Sequence, residues 1–167
     1  MRHVQSFAPI ETADARILIL GSMPGEASLR AGQYYAHPRN LFWQIMGELL
    51  GFDPASPYSQ RVQALKSARI ALWDVLRLCR RKGSLDSGID EGSLVPNDFA
   101  AFFLNHPKIT HVFFNGSKAE ECYRKHVMPV IGIDSIEYLR LPSTSPANAS
   151  VSCERKLEAW RVMATCA

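Results

Sequence analysis

Short apolar runs of strand length recur along this chain, separated by segments with a different pattern. These strand-length segments cover residues 15–21, 69–76, 109–114 and 136–141, and the first of them ends in Gly21. The first is a short continuous apolar run, which is typical of a strand that is buried on both faces of a parallel sheet. We therefore predict a buried strand over 15–21 and three further strands over the other segments.

The segments around these runs show helical periodicity. Within 39–50 the apolar residues recur at intervals of three and four, and Gly51 ends the pattern. Four further helices are predicted over 58–67, 97–104, 117–127 and 151–165. Residues 79–95 are polar and punctuated by glycine, so we expect a long loop there.

Strands that alternate with helices favour a parallel sheet with helices on both faces. The predicted fold class is α/β, a three-layer α/β/α sandwich with a central four-stranded parallel sheet. No repeat or Gly/Ser linker divides the chain, so we expect a single domain over residues 1–167. Ligands of such folds bind at the carboxyl ends of the strands, which are followed here by segments 21–40, 74–82, 115–118 and 142–149.

Composition and charge narrow the function classes. Hydrophobic residues make up 47% and charged residues 21% of the 167 residues, as in ordinary globular proteins. The 19 basic and 16 acidic residues leave a net charge of +3, which permits nucleic-acid binding without requiring it. No apolar run reaches the roughly 18 residues of a membrane span, and no signal-peptide core is visible at the N-terminus, so we expect a cytoplasmic protein without a membrane partner.

Neither a metal nor a cofactor is expected. The four cysteines, Cys79, Cys122, Cys153 and Cys166, form no C-x-x-C pair, so the spacing patterns of zinc and iron–sulfur sites are absent. The glycine-containing loop after the first predicted strand matches neither a P-loop nor a Gly-x-Gly-x-x-Gly fingerprint. A nucleoside triphosphate or a dinucleotide is therefore disfavoured.

That first loop holds the densest set of candidate residues. In Gly21-Ser22-Met23-Pro24-Gly25, two glycines bracket the segment and let backbone amides approach a ligand closely. Tyr34 and Tyr35 offer either flat faces for stacking a base or packing for the loop itself. His37 can bond within the loop, contact a phosphate or assist catalysis, and Asn40 can cap the following helix.

These residues resemble the first motif of the uracil-DNA glycosylase superfamily. Gly21–Gly25 is followed by Tyr35-Ala36-His37-Pro38-Arg39-Asn40, and Leu141–Asn148 (Leu-Pro-Ser-Thr-Ser-Pro-Ala-Asn) is similar to the second motif. From Ile17 to Trp160 the chain resembles the hypoxanthine-DNA (deoxyinosine) glycosylase branch. The resemblance implies a monofunctional DNA glycosylase that hydrolyses the N-glycosidic bond of deaminated bases, hypoxanthine first and uracil second.

Two positions depart from the pattern of uracil-specific members. Met23 stands where those members usually carry an Asp or Asn that handles the attacking water, and Leu141 stands where some carry a histidine. Methionine and leucine side chains can neither accept a proton nor orient water through strong hydrogen bonds. The resemblance to the hypoxanthine branch implies that Asn40 takes the water-positioning role and that Asn115 contacts the extruded base.

The resemblance also implies a binding site for the base. Backbone groups of Gly21–Gly25, together with Tyr35 and His37, are the expected base-binding residues. Many relatives carry a base-reading asparagine at the end of the second strand, where this chain has Asp74. Asp74 either accepts hydrogen bonds from a purine edge or balances the charge of adjacent arginines, and we favour charge balance.

Two segments are candidates for DNA contact. The first is a basic cluster of Arg77, Arg80, Arg81 and Lys82, which can equally be a solvated loop. The second is the turn that contains Ser143, Thr144, Ser145 and Asn148, whose hydroxyls suit phosphate oxygens but which can also be a plain turn. The expected partner is double-stranded DNA, with single-stranded DNA as the alternative, and we expect a monomer.

Two other functions stay open. A catalytically silent nucleic-acid-binding module on the same scaffold is motivated by Met23 and Leu141, which replace two catalytic side chains. A small-molecule hydrolase would use Ser22 or Ser143 as its nucleophile. This second alternative is disfavoured because the chain has no Gly-x-Ser-x-Gly elbow and no evident His–Asp pairing.

Overall fold

The computed structural model describes residues 1–166 and contains two sheets. The strands are β1 (Arg2–Gln5), β2 (Ile17–Gly21), β3 (Ile70–Asp74), β4 (Leu76–Arg81), β5 (Val95–Pro96), β6 (His111–Asn115) and β7 (Glu137–Leu141). The helices are α1 (Glu26–Ala31), α2 (Phe42–Leu50), α3 (Tyr58–Ser67), α4 (Phe99–Asn105), α5 (Ser117–His126), α6 (Met128–Ile131) and α7 (Cys153–Thr165). Within these residues no helix is long and apolar enough to cross a membrane.

The central sheet confirms the predicted four parallel strands, in the order β3-β2-β6-β7. Every residue of β2 and β3 is buried, because helices cover both faces of the sheet. Alternate residues of β2 point to opposite sides, so Leu18 and Leu20 belong to one apolar cluster and Ile17 and Ile19 to the other. Helices α1, α4, α5 and α6 contribute to the first cluster, and α2, α3 and α7 contribute to the second. The three-layer α/β/α architecture is confirmed.

A second, antiparallel sheet was not predicted. Its order is β1-β4-β5, and β1 pairs with β4 so that Val4 lies opposite Cys79. The predicted strand over 69–76 ends at Asp74, and the chain enters β4 two residues later. The prediction of a loop over 79–95 is therefore wrong at its start, because residues 79–81 gain a partner strand from the N-terminal segment, far away in sequence.

The carboxyl ends of the four central strands lie at one edge of the sheet. Gly21 at the end of β2 is in register with Asp74 at the end of β3, and Asn115 of β6 is in register with Leu141 of β7. Because the strands are parallel, the segments that follow them begin side by side. The edge therefore gathers the two motif loops that lie more than a hundred residues apart in the chain.

Candidate active site

A single cavity of about 1090 Å³ lies over this edge of the sheet. Most of the predicted site residues line it: Gly21, Ser22, Met23, Pro24, Gly25, Tyr35, His37, Asn40, Asn115, Ser143, Thr144, Ser145 and Asn148. The structure thus brings the two motif loops together on one cavity. The predicted DNA-contacting residues Arg80, Arg81 and Lys82 do not line it.

Asn115 and Thr144 join the loops that follow β6 and β7. The Asn115 amide donates from Nδ2 to the Thr144 hydroxyl (3.0 Å), and its Oδ1 accepts from the Thr144 backbone N–H (2.9 Å). The carbonyl of Thr144 in turn accepts from the backbone N–H of Leu41 (3.0 Å), which belongs to the first motif loop. Thr144 is fully buried, so these bonds are shielded from water. The amide of Asn115 is therefore engaged in holding three loops together, in addition to bordering the cavity.

The turn after β7 is folded by its own side chains. The hydroxyl of Ser143 accepts from the backbone N–H of Ser145, and the hydroxyl of Ser145 accepts from that of Ala147, both at 3.2 Å. Asn148 donates from Nδ2 to the carbonyl of Ser143, and the buried Lys156 ammonium lies 3.4 Å from the carbonyl of Ser145. Each serine hydroxyl accepts a bond here, which leaves its own hydrogen available for a phosphate oxygen.

Asn40 occupies the end of the first motif loop. Its Oδ1 accepts from the backbone N–H of Phe42 at 2.9 Å, so it satisfies the first backbone donor of α2, although the cap residue itself is Leu41. The loop around it is fixed by two further bonds, from the Asn40 N–H to the carbonyl of His37 and from the Arg39 N–H to His37 Nδ1. The capping bond uses only the oxygen of the amide. The nitrogen, Nδ2, stays available to the cavity that Asn40 lines.

The adjacent tyrosines both border the cavity and both pack against other aromatic rings. Tyr34 is buried and packs the loop, with its hydroxyl donating to the carbonyl of Ala8 at 2.8 Å. Tyr35 stacks on Phe42, with ring centroids 4.2 Å apart, and lines the cavity. Its φ of +53° lies in the left-handed region, which is costly for a non-glycine residue and is characteristic of functional sites.

Asp74 lies in the wall of the cavity directly beside β2. A Cβ built on Gly21 would lie 2.6 Å from Asp74 Oδ1 and 2.8 Å from the Tyr35 hydroxyl, so only glycine fits opposite this carboxyl group. Asp74 is 3% exposed, and its Oδ2 has no hydrogen-bond partner within residues 1–166. A buried carboxyl oxygen of this kind is unusual and calls for a ligand or a proton.

The surroundings favour the protonated form of Asp74. The pKa of its carboxyl group is raised from 3.8 to about 7. Burial is the main cause, and the negative charge of Asp86 contributes in the same direction. Arg81 opposes this shift without overcoming it, and no salt bridge joins Arg81 to Asp74 in the part of the chain that the structure describes. Charge balance with the arginines, the role we favoured from the sequence, therefore does not account for this carboxyl group.

Part of the cavity lining comes from residues that were not among the predicted site residues. Ser84, Leu85 and Asp86, in the turn after β4, line the cavity. The Ser22 hydroxyl donates to Asp86 Oδ1 at 2.6 Å, and the Glu26 backbone N–H donates to the Ser84 hydroxyl at 3.0 Å. The length and polarity of the predicted 79–95 loop were the available signals for a functional segment.

The basic cluster after β3 is placed differently from the prediction. Arg81 is 1% exposed, and its Nε donates to the carbonyl of Gly83, so a phosphate cannot reach its guanidinium in this structure. Arg80 pairs with Asp90 at 2.6 Å, whereas Lys82 is exposed. The predicted DNA contact of Arg81 is therefore not supported.

Two arginines that the sequence analysis did not single out border the cavity instead. They are Arg39, which precedes Asn40 in the first motif loop, and Arg140, next to last in β7. Both are exposed, and Nη1 of Arg140 also lies 3.7 Å from Oε1 of Glu120. Their position within or beside the motif loops was the signal that could have identified them.

The serines of the site do not form a nucleophile–base pair. Ser22 donates to Asp86, the Ser143 hydroxyl accepts from Ser145, and His37 Nδ1 accepts from a backbone N–H. In residues 1–166 no group of three or more His, Cys, Asp or Glu side chains is arranged to hold a metal ion. The arrangement can bind and orient a flat polar ligand and a water molecule, but it lacks the geometry of serine hydrolases.

Replacing Asn115 by alanine is expected to destabilise the fold by about 2–4 kcal/mol. The substitution leaves the buried hydroxyl and backbone N–H of Thr144 without partners, at a cost of roughly 1–3 kcal/mol for each unsatisfied group. Urea denaturation of N115A measures this loss. The matched control is N105A, which alters an exposed asparagine in α4 and should change the free energy of unfolding by less than about 0.5 kcal/mol. Equal effects of the two substitutions would contradict the bonding seen here.

Asp74 should make stability depend on pH. Because its pKa is higher in the folded than in the unfolded chain, the folded state holds the proton more tightly between pH 4 and 7, and stability falls as the pH rises through that window. D74N removes this dependence. Relative to D74N, the wild-type free energy of unfolding should fall by on the order of 4 kcal/mol between pH 4 and 8.

Denaturation at a series of pH values measures the effect of D74N, with the exposed Asp134 as the control. D134N should retain the wild-type pH dependence, since Asp134 lies on the surface. A constant difference between D74N and the wild type across this range would show that the carboxyl group of Asp74 titrates normally.

Comparisons with known proteins identify the family to which this chain belongs. The family model described as the uracil DNA glycosylase superfamily matches residues 9–164. The hypoxanthine DNA glycosylases of Methanosarcina barkeri and Methanosarcina acetivorans are 37% and 36% identical to this chain, and the alignments cover 91% and 95% of it and 92% and 96% of those proteins. The solution NMR structure of a candidate uracil DNA glycosylase from Methanosarcina acetivorans superposes with a TM-score of 0.81 at 35% identity, covering 98% of this chain and 97% of that one. This chain belongs to the uracil-DNA glycosylase superfamily.

Proposed function

We propose that this protein is a monofunctional DNA glycosylase that releases hypoxanthine from deoxyinosine in double-stranded DNA, with uracil as a second substrate. The observation that carries the proposal is the convergence of both motif loops on one cavity. Its volume of about 1090 Å³ is ample for an extruded base together with part of its sugar and phosphates. The names of the two Methanosarcina relatives support hypoxanthine as the first substrate.

The chemistry of the site favours a dissociative hydrolysis. An asparagine has no proton-transfer pKa near neutrality, so Asn40 cannot act as a strong general base, but it can hold a water molecule or the sugar through its free Nδ2. This suffices if the C1′–N bond breaks first and leaves a cationic sugar that water captures readily. The negative phosphates of the DNA then stabilise the cation.

The lysines of the protein support hydrolysis without strand cleavage. A lyase would need a nucleophilic amine in the cavity. Lys118 pairs with Glu91, and Lys156 lies behind the second motif loop against the carbonyl of Ser145. Neither side chain lines the cavity, which is the basis for proposing a monofunctional enzyme.

In this proposal, the phosphates of the DNA are bound by side chains beside the cavity. We place phosphate contacts on Arg39 and on the hydroxyls of Ser143 and Ser145, since these groups line the cavity and keep donors available. Asn115 supports this surface through Thr144. The enzyme is proposed to act as a monomer, because the residues of one chain complete the cavity.

Asn40→Ser separates capping from catalysis. Serine is a good helix cap, so the melting temperature should stay near that of the wild type, whereas loss of the amide should lower base release by about 100-fold. The measurement is single-turnover release of hypoxanthine from an inosine-containing duplex, repeated with uracil, xanthine and thymine mispairs. Wild-type turnover by N40S would remove Asn40 from the reaction. Tight binding of inosine DNA by the wild type without any release would select the silent binding module instead.

Arg39→Gln tests the DNA contact at the rim. Loss of one phosphate contact should weaken binding to all duplexes alike and reduce the slope of log K against log salt by about 1. Arg16 precedes β2 at the opposite end of the sheet and is also exposed, so R16Q is the matched control and should bind as the wild type does. Fluorescence anisotropy at several salt concentrations distinguishes the two. Equal slopes for R39Q and R16Q would place the DNA elsewhere.

A further inference from the structure

Two polar groups that line the cavity have an atom without a hydrogen-bond partner within residues 1–166, namely the Tyr35 hydroxyl and the carboxyl group of Asp74. Burial raises the pKa of the Tyr35 phenol, so the group that can give up a proton at neutral pH is the carboxyl group of Asp74. It is nine-tenths or more buried, it lines the cavity, and its Oδ2 has no partner within the described chain. Gly21 is required for its placement, since any side chain there would collide with Oδ1. A polar group that is buried, unpaired and directed at a ligand site is expected to complete its bonding with the ligand.

We propose that Asp74 is a catalytic general acid that donates its carboxyl proton to the departing purine, an inference that rests on the proposed glycosylase function. The hypoxanthine ring presents N7 and O6 as acceptors, and N7 belongs to the imidazole ring that contains the leaving nitrogen. A proton on N7 withdraws electrons from the bond between the base and the sugar. It also compensates the negative charge that develops on the base as this bond breaks, and so stabilises the leaving group.

The C1′–N9 bond breaks and its electron pair moves into the base, while the O–H proton of Asp74 passes to N7, so the base departs as neutral hypoxanthine. Water then bonds to the cationic C1′ and loses a proton. That proton returns to the Asp74 carboxylate, directly or through solvent, so that one water is consumed and the carboxyl group is restored.

The groups that face Asp74 favour a neutral acid at the start of the reaction. Asp86 adds a negative charge from the turn after β4, while Arg81 from β4 acts in the opposite direction. Tyr34 and Tyr35 are neutral, because burial raises the pKa of both phenols. The result is a carboxyl group with a pKa of about 7, close to the value at which an acid is both protonated and able to transfer its proton.

An acid at this position also explains how the site manages without the histidine that Leu141 replaces. A leucine side chain cannot stabilise negative charge on a departing base. A proton delivered by Asp74 removes the need for such stabilisation. The role differs from that of an asparagine at the same place, which can donate a hydrogen bond but cannot give up a proton at neutral pH.

The test is the pH dependence of hypoxanthine release under single-turnover conditions, for the wild type, D74N and D86N. The wild-type rate should fall about tenfold per pH unit above about pH 7. D74N keeps a donor and an acceptor in the same shape but has no proton to give, so it should be about 100-fold slower and independent of pH. D86N removes the neighbouring charge and should move the midpoint of the wild-type profile to lower pH.

Controls separate this inference from the proposed function. D134N, on the surface, should behave as the wild type, and the double variant D74N/D86N should show no midpoint to move. Release of hypoxanthine by the wild type with a flat profile through pH 7, or by D74N at the wild-type rate, would overturn the acid role while leaving the glycosylase intact. If the wild type releases no base at all, the proposed function fails, and the acid role fails with it.

Discussion

The paired hydrogen bonds between Asn115 and Thr144 are the constraint on which the site depends. Both motif loops are irregular segments, and loops of this kind adopt a defined shape only when their polar groups are satisfied. Asn115 satisfies two groups of Thr144, and the carbonyl of Thr144 reaches across to Leu41. One buried amide at the end of β6 thus fixes the loop after β7 to the loop after β2. A protein interior strengthens such bonds and penalises their loss, so the cavity has one favoured shape.

The parallel register of the sheet explains why chemistry is concentrated at one edge. Gly21 and Asp74 are neighbours because β2 and β3 pair residue by residue, and the absence of a side chain at Gly21 leaves space for the carboxyl group. The helices on both faces exclude water from the strand ends. The same burial that stabilises the sheet therefore keeps a proton on Asp74 near neutrality. Burial of the strand ends therefore contributes both to the stability of the sheet and to the raised pKa of Asp74.

Much of this structure could be predicted from local sequence, and the remainder could not for identifiable reasons. The buried strands β2 and β3 are apolar up to their last residues, Gly21 and Asp74, and the first motif loop begins where β2 stops. Strand β1 contains a single buried residue, Val4, and it exists only because β4 lies beside it. Arg81 looked like a surface charge because arginines are rarely buried, and nothing in its neighbours indicated otherwise. The bonds of Asn115 span 29 residues, a distance over which spacing carries no information.

The small antiparallel sheet has a consequence for the mobility of the cavity. The turn that carries Ser84, Leu85 and Asp86 is continuous with β4, and the last four residues of β4, Leu78–Arg81, pair with Arg2–Gln5. The N-terminal strand β1 therefore stabilises the strand from which this part of the cavity lining continues. Loss of this pairing would release the turn that carries Ser84, Leu85 and Asp86, and would thereby change the space that the cavity offers to a ligand. Segments that contribute no atom to the chemistry can in this way govern the opening through which the substrate must pass.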